Sequence, residues 1–203
     1  ESERPPAWAA PPLGEGPFRS ESWEQRDLKT SIVTRGLTSP RAIEFLPDGA
    51  VLITERAGAL RIVRDGKLDP QPIVGGPEKV AVLGTATGFM DIALHPDFKT
   101  NGLIYLSYHK PRGDLGSNAI WRGRWDGTKI VDGKDIFLSD DVDALYSRMM
   151  FGADGKLYFT IGCPGVGTDD SIGRAQKPDD FAGKTIRLND DGTVPKEIGR
   201  ASC

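Results

Sequence analysis

The sequence predicts an all-β fold, and more narrowly a β-propeller. A strand-turn-strand phrase occurs three times, as AIEFLPDGAVLITE (Ala42 to Glu55), DIALHPDFKTNGLIYLSY (Asp91 to Tyr108) and RMMFGADGKLYFTIG (Arg148 to Gly162). The aspartates at its turns, Asp48, Asp97 and Asp154, lie 49 and 57 residues apart. No apolar run keeps a helical period for more than a turn or two. Repeats of roughly 40–50 residues built from short strands mark propeller blades, small sheets that bury their faces only by stacking around a channel. Sites in such folds sit on loops at the channel mouth.

Taken in order, residues 1–27 are rich in Pro, Gly and Glu and read as an extended N-terminal arm, with Trp8, Phe18 or Trp23 as its anchor. Residues 28–203 read as a partial propeller domain with blades at about 42–87, 88–140 and 147–195. LKTSIVTRGL (Leu28 to Leu37) alternates like an outer strand that closes a ring. In the first blade LPDG is a hairpin turn, because Asp-Gly tolerates the positive φ such turns need, and Asp65-Gly66 repeats the signal. In the second, NGLIYLSYHK is the second strand, while IWRGRWDGTKI and VDGKDIFLS are outer strands. In the third, KLYFTIG is followed by GKTIRLNDDGTVP, again as outer strands.

Three blades are fewer than the four or more a closed ring needs. Either the chain is part of a longer protein or a second copy completes it, since open blade faces expose apolar side chains. The tail KEIGRASC (Lys196 to Cys203) starts no further blade and favours truncation.

With 203 residues the chain is long enough for one domain with a sizeable core. A net charge of −3 favours neither nucleic acid nor an anionic membrane surface as a partner. No apolar run approaches the ~18–20 residues that span a bilayer. The chain begins at Glu1 with no apolar leader, as a processed or trimmed protein does. Cys163 and Cys203 are the two cysteines, too few for a disulfide framework.

Several residues carry chemistry in principle. His95, in LHPDF, reads as a turn residue, and His109, beside Lys110-Pro111, as a solvated one. Cys163, in GCPGVG, falls in a loop at the channel mouth, where a thiolate needs an electropositive neighbour such as Arg148 to be reactive. Asp140, Asp141 and Asp143, with Asp169 and Asp170, offer hard oxygen ligands on loops, though a solvated acidic loop accounts for them as well. NDDG (Asn189 to Gly192) is a turn, and GCPGVGT lacks the Gly-Lys-Ser/Thr ending of a P-loop.

The blade sequences resemble those of the soluble quinoprotein sugar dehydrogenases, the glucose/sorbosone dehydrogenase family. The resemblance rests on SPRAIEFLPDGAVLITERAGALRIVRDGKL (Ser39 to Leu68), GFMDIALHPDFKTNGLIYLSY (Gly88 to Tyr108), SRMMFGADGKLYFTIG and GKTIRLNDDGTVP (Gly183 to Pro195) in that order. It implies a six-bladed propeller of which about three blades are present. It also implies pyrroloquinoline quinone (PQQ) and calcium on the axial face, and oxidation of an aldose by hydride transfer from C1 to the quinone. A periplasmic or secreted location follows from the same resemblance, as does a small sugar as partner.

Residue by residue, the resemblance places Ala86 where the family has a Gln. It places Ala144 where the general-base His stands, four residues before Arg148, and Cys163 where an Asp orients that His. Asp143 and Arg148 match family positions, so Asp143, Arg148 and Cys163 are the candidate catalytic residues. A methyl group at Ala144 takes no proton, which leaves a second reading: a non-catalytic propeller module that binds a sugar, a small ligand or a protein partner. A calcium-assisted, lactonase-like hydrolase is a third, against which the order of motifs argues.

Overall fold

The computed structural model describes residues 14–83, 87–140, 147–162 and 170–196. The chain divides into two compact units, Glu1–Arg35 and Gly36–Cys203.

In the first unit, β1 (Phe18–Ser20) pairs antiparallel with β2 (Leu28–Thr30), Phe18 facing Thr30. The intervening turn is closed by Ser22, whose backbone N–H donates to the Gln25 carbonyl at 2.9 Å while its Oγ accepts the Gln25 N–H at 2.9 Å. The arm is therefore not wholly extended. LKTSIVTRGL is a strand only over its first three residues, and that strand pairs with β1 rather than with a blade. Trp23 is fully exposed and anchors nothing, while Trp8 lies outside the described residues.

The second unit is nearly all β, as the sequence predicts. Sheet I runs in the order β3 (Pro40–Phe45), β4 (Val51–Glu55), β5 (Leu60–Arg64), β6 (Lys67–Leu68). Sheet II is β7 (Phe89–Leu94), β8 (Leu103–Arg112), β9 (Leu115–Trp125), β10 (Ile130–Leu138). Sheet III is β11 (Met149–Phe151), β12 (Leu157–Ile161), β13 (Lys184–Leu188). Every pairing is antiparallel and joins strands next to one another in the chain. Among the described residues two short helices interrupt the β structure, α1 (Phe98–Asn101) and α2 (Asp170–Ala175).

The turns explain why the strands end where they do. Leu46 N–H donates to Ala50 O at 2.8 Å, Gly49 N–H donates back to Leu46 O at 2.9 Å, and Asp48 Oδ1 accepts Ala50 N–H at 3.0 Å. The same three bonds recur at Gly152, Asp154 and Gly155, and again at Asn189, Asp191 and Gly192. In each loop the glycine has positive φ, which a side chain would disfavour. Asp97 departs from the pattern. Its loop winds into α1, and the left-handed residue comes five positions later, at Gly102 with φ 65°.

Sheet II is buried on both faces, which is why LIYLSY reads as a continuous apolar run instead of alternating. Leu52, Leu60 and Ile62 of sheet I pack on Ile92, Ile104, Leu106 and Trp121. The alternate residues Ala93, Tyr105 and Ile120 pack on Met149, Leu157, Phe159 and Leu188 of sheet III. On the other side of sheet I, Ile43 and Phe45 remain 58% and 62% exposed.

Candidate functional site at the heads of the first strands

β7 lies against both β3 and β11, and Arg148, just before β11, reaches toward the other two strands. Aligning the three aspartate landmarks puts Ala42, Asp91 and Arg148 on one rung, each six residues before its landmark. Thr54 Oγ1 accepts the Ala42 N–H and Thr160 Oγ1 accepts the Arg148 N–H, both at 3.2 Å, so those two backbones are held alike. Asp91 is the charged residue within the otherwise apolar β7, and its side chain is 14% exposed. Its Oδ2 accepts the Met149 N–H at 2.8 Å, and its Oδ1 lies 3.4 Å from Arg148 Nη1.

Arg148 Nη1 also reaches the carbonyls of Arg41 and Met90, each at 3.4 Å. One guanidinium nitrogen thus meets groups from β3 and β7 while its backbone belongs to sheet III. Deeper along β3, burial raises the pKa of Glu44; Asp91 adds to the rise, and the Phe45 N–H works against it. Beside Arg148, Ser147 is buried with no partner for its Oγ among the described residues.

Thr87, 3% exposed, accepts the Leu83 N–H and donates to the Leu83 carbonyl at 2.7 Å. Ala86, Asp143, Ala144 and Cys163 lie outside the described residues, as do Asp141, Asp169 and Cys203. Of the three candidate catalytic residues, the structure therefore locates Arg148 alone. Asp140 offers its backbone oxygen to Arg112 Nη1 at 2.7 Å. Among the described residues no three His, Cys, Asp or Glu side chains gather as they do around a metal ion.

The histidines sit elsewhere. His95 Nδ1 accepts the Asp97 N–H at 3.0 Å, and its ring stacks on Tyr105 and meets Phe151 edge-on at 5.2 Å. His109 is not a solvated residue. It is fully buried, because β8 runs past it to Arg112 and pairs with β9 throughout, His109 opposite Asn118. Its N–H donates to Gly88 O at 3.0 Å.

A cavity of about 490 Å³ opens between the Gly75–Lys79 segment and β8 and β10, away from Arg148. On its wall Asp135 accepts Tyr108 OH at 2.8 Å and Lys110 Nζ at 2.5 Å. Burial raises the Tyr108 hydroxyl pKa, and the bonded Asp135 carboxylate reinforces it. Both oxygens of that carboxylate are thereby engaged in holding the wall together.

Asp91 is a site residue that motif reasoning passes over. The signal for Asp91 was present, since a carboxylate interrupts an otherwise apolar strand where the first copy has Ala42.

Residues 37–200 match the family described as Glucose / Sorbosone dehydrogenase. The chain is similar to aldose sugar dehydrogenase YliI of Escherichia coli strain K12, 35% identical over 179 residues, covering 84% of this chain and 46% of that protein. It is similar to quinoprotein glucose dehydrogenase B of Acinetobacter calcoaceticus, 28% identical over 218 aligned positions, covering 94% of this chain and 45% of that protein. The PQQ-bound aldose sugar dehydrogenase of Streptomyces coelicolor superposes with a TM-score of 0.65 at 25% identity, over 79% of this chain and 47% of that one. The chain spans about half the length of the curated relatives it matches.

Proposed function

The chain belongs to the glucose/sorbosone dehydrogenase family, and we propose on that premise that it forms about three blades of a six-bladed quinoprotein propeller that oxidises an aldose at C1. What carries the reading is that the matched span, 37–200, includes all three sheets and the strand heads where Arg148 meets Asp91. PQQ, when bound, supplies the acceptor for the hydride leaving C1. Among the described residues, Arg148 suits such a polycarboxylate, being cationic, 63% exposed and fixed at one nitrogen. Calcium, the hard cation of this reading, calls for oxygen ligands. A periplasmic or secreted location belongs to the same proposal.

The chain's own part in turnover would be to hold the sugar and remove the O1 proton as hydride leaves. Ala144 stands where the resemblance puts that base, and it cannot accept a proton. This one residue favours the second reading, a propeller module that binds a sugar, a small ligand or a protein partner without oxidising it.

Reconstitution with calcium and PQQ, followed by addition of aldoses, separates the two. Bleaching of the quinone absorbance supports the dehydrogenase. Cofactor binding without bleaching supports the binding module, and gain of bleaching in Ala144→His identifies the base as what was missing. If PQQ does not bind, the quinoprotein reading of this chain fails.

A further inference from the structure

We propose that the outer edge of the Arg148 guanidinium is a carboxylate-binding point, and that Asp91 is the positioning residue that presents it. The proposal rests on the reading above for the location of the site, and adds the chemistry of the group recognised there.

The rung Ala42, Asp91, Arg148 gives the reason. Equivalent backbone positions carry a methyl, a carboxylate and a guanidinium, so the two charged groups are features of this chain's second and third copies rather than of the repeat. Asp91 is mostly buried and is pinned by the Met149 N–H at 2.8 Å. A buried carboxylate is costly without a cation, so it holds Arg148 near. All of the tethering falls on Nη1, where Asp91 Oδ1 and the Arg41 and Met90 carbonyls converge at 3.4 Å.

Three acceptors around a nitrogen with two protons saturate that corner of the fork. No described residue bonds Nε or Nη2, and the side chain is 63% exposed. The remaining edge offers two parallel N–H groups, the geometry that matches a planar carboxylate in a bidentate pair. Asp91 approaches the guanidinium at Nη1, so the Nε/Nη2 edge is the one left for an incoming carboxylate.

A carboxylate can come from the quinone or from a sugar acid, and binding measurements separate the sources. PQQ is compared with its trimethyl ester, and D-glucuronate with D-glucose, by calorimetry on the whole chain. Arg148→Gln is expected to weaken the carboxylate-bearing ligand of one pair by about 10- to 100-fold and to leave its neutral counterpart unchanged. Arg148→Lys should recover part of the loss, because charge returns without the fork. Asp91→Asn keeps an acceptor for the Met149 N–H, so a positioning role lowers carboxylate affinity while Tm stays near wild type.

Equal carboxylate affinity in the wild type and Arg148→Gln overturns the proposal, as does failure of the wild type to bind either carboxylate. A fall in Tm without loss of affinity in Asp91→Asn overturns the role given to Asp91. Arg148-dependent binding of glucuronate with no PQQ binding would sink the quinoprotein reading and leave the carboxylate point standing. PQQ binding indifferent to Arg148→Gln, with no Arg148-dependent binding of glucuronate, would do the reverse.

Discussion

Asn101 points its amide nitrogen at Nδ1 of His95 across 2.8 Å, while its amide oxygen accepts the Leu103 N–H at 2.9 Å. The second bond fixes which way the amide faces, so Nδ1 meets two donors, from Asn101 and from the Asp97 N–H at 3.0 Å. Nδ1 of His95 thus serves as an acceptor, and its Nε2 lies 3.8 Å from Asp190 Oδ2. The ring joins the start of α1 to sheet III. Asn101→Ala removes both bonds and is expected to cost about 1–3 kcal/mol, read as a lower midpoint in urea with unchanged slope.

Gly133 lies against the flat of Trp121. A Cβ there would stand 1.8 Å from Trp121 Cζ2, and Trp121 is 5% exposed with no room to retreat. Gly133→Ala should destabilise by about 1–3 kcal/mol through overpacking, and near-ultraviolet circular dichroism should register the displaced indole. Wild-type stability with an unchanged spectrum would contradict this packing.

Asp48, Asp154 and Asp191, one in each of three Asp-Gly loops, all have their pKa lowered. Asp154 is held below the usual carboxylate range by Arg187 first, with the Lys156 N–H and Tyr158 hydroxyl assisting. Asp48 is lowered chiefly by the Ala50 N–H, and Asp191 by Thr193. A group lowered in the folded state contributes stability above its unfolded value, about 3.9, which is lost as pH falls through the folded value. Asp154→Asn should flatten the acid side of a Tm-against-pH profile and change little at neutral pH. An acid limb as steep as wild type would count against the Arg187 pairing.

Glu44 has the opposite sign. Burial raises its pKa, so its contribution is present below the unfolded value of about 4.3 and is lost as pH rises through the folded value. Glu44→Gln is expected to raise Tm modestly near neutral pH, with the gain vanishing below about pH 4. A lower Tm at neutral pH would mean that the carboxylate is better solvated than its position implies.

How much of this was legible in the sequence depends on how far apart the partners lie. Asp48-Gly49, Asp65-Gly66, Asp154-Gly155 and Asp191-Gly192 are readable because the glycine supplies positive φ where it is needed. Asp97 looked equivalent, but Phe98 follows it and the left-handed glycine comes later, so a helical turn forms. His109 was misread because Lys110-Pro111 signalled an end to the strand, whereas β9 pairs with β8 as far as Arg112. The Arg148–Asp91 contact spans 57 residues and emerges only once the copies are aligned rung by rung. Arg148 itself was found by resemblance; the acid that orients it was not.

The Asp-Gly loops at Asp48, Asp154 and Asp191 bear on how the chain folds. Each closes over five residues with an acceptor the loop itself carries, as Asp48 does for Ala50. Short closures cost little entropy, and hairpins of this kind form on a microsecond scale. Folding therefore has several independent starting points, one at each such loop. The slow part falls to the unions between sheets, where Ile92 must find Leu52 and Tyr105 must find Phe159. Substitutions at the loops should act on hairpin nucleation, and those at the unions on the rate-limiting assembly.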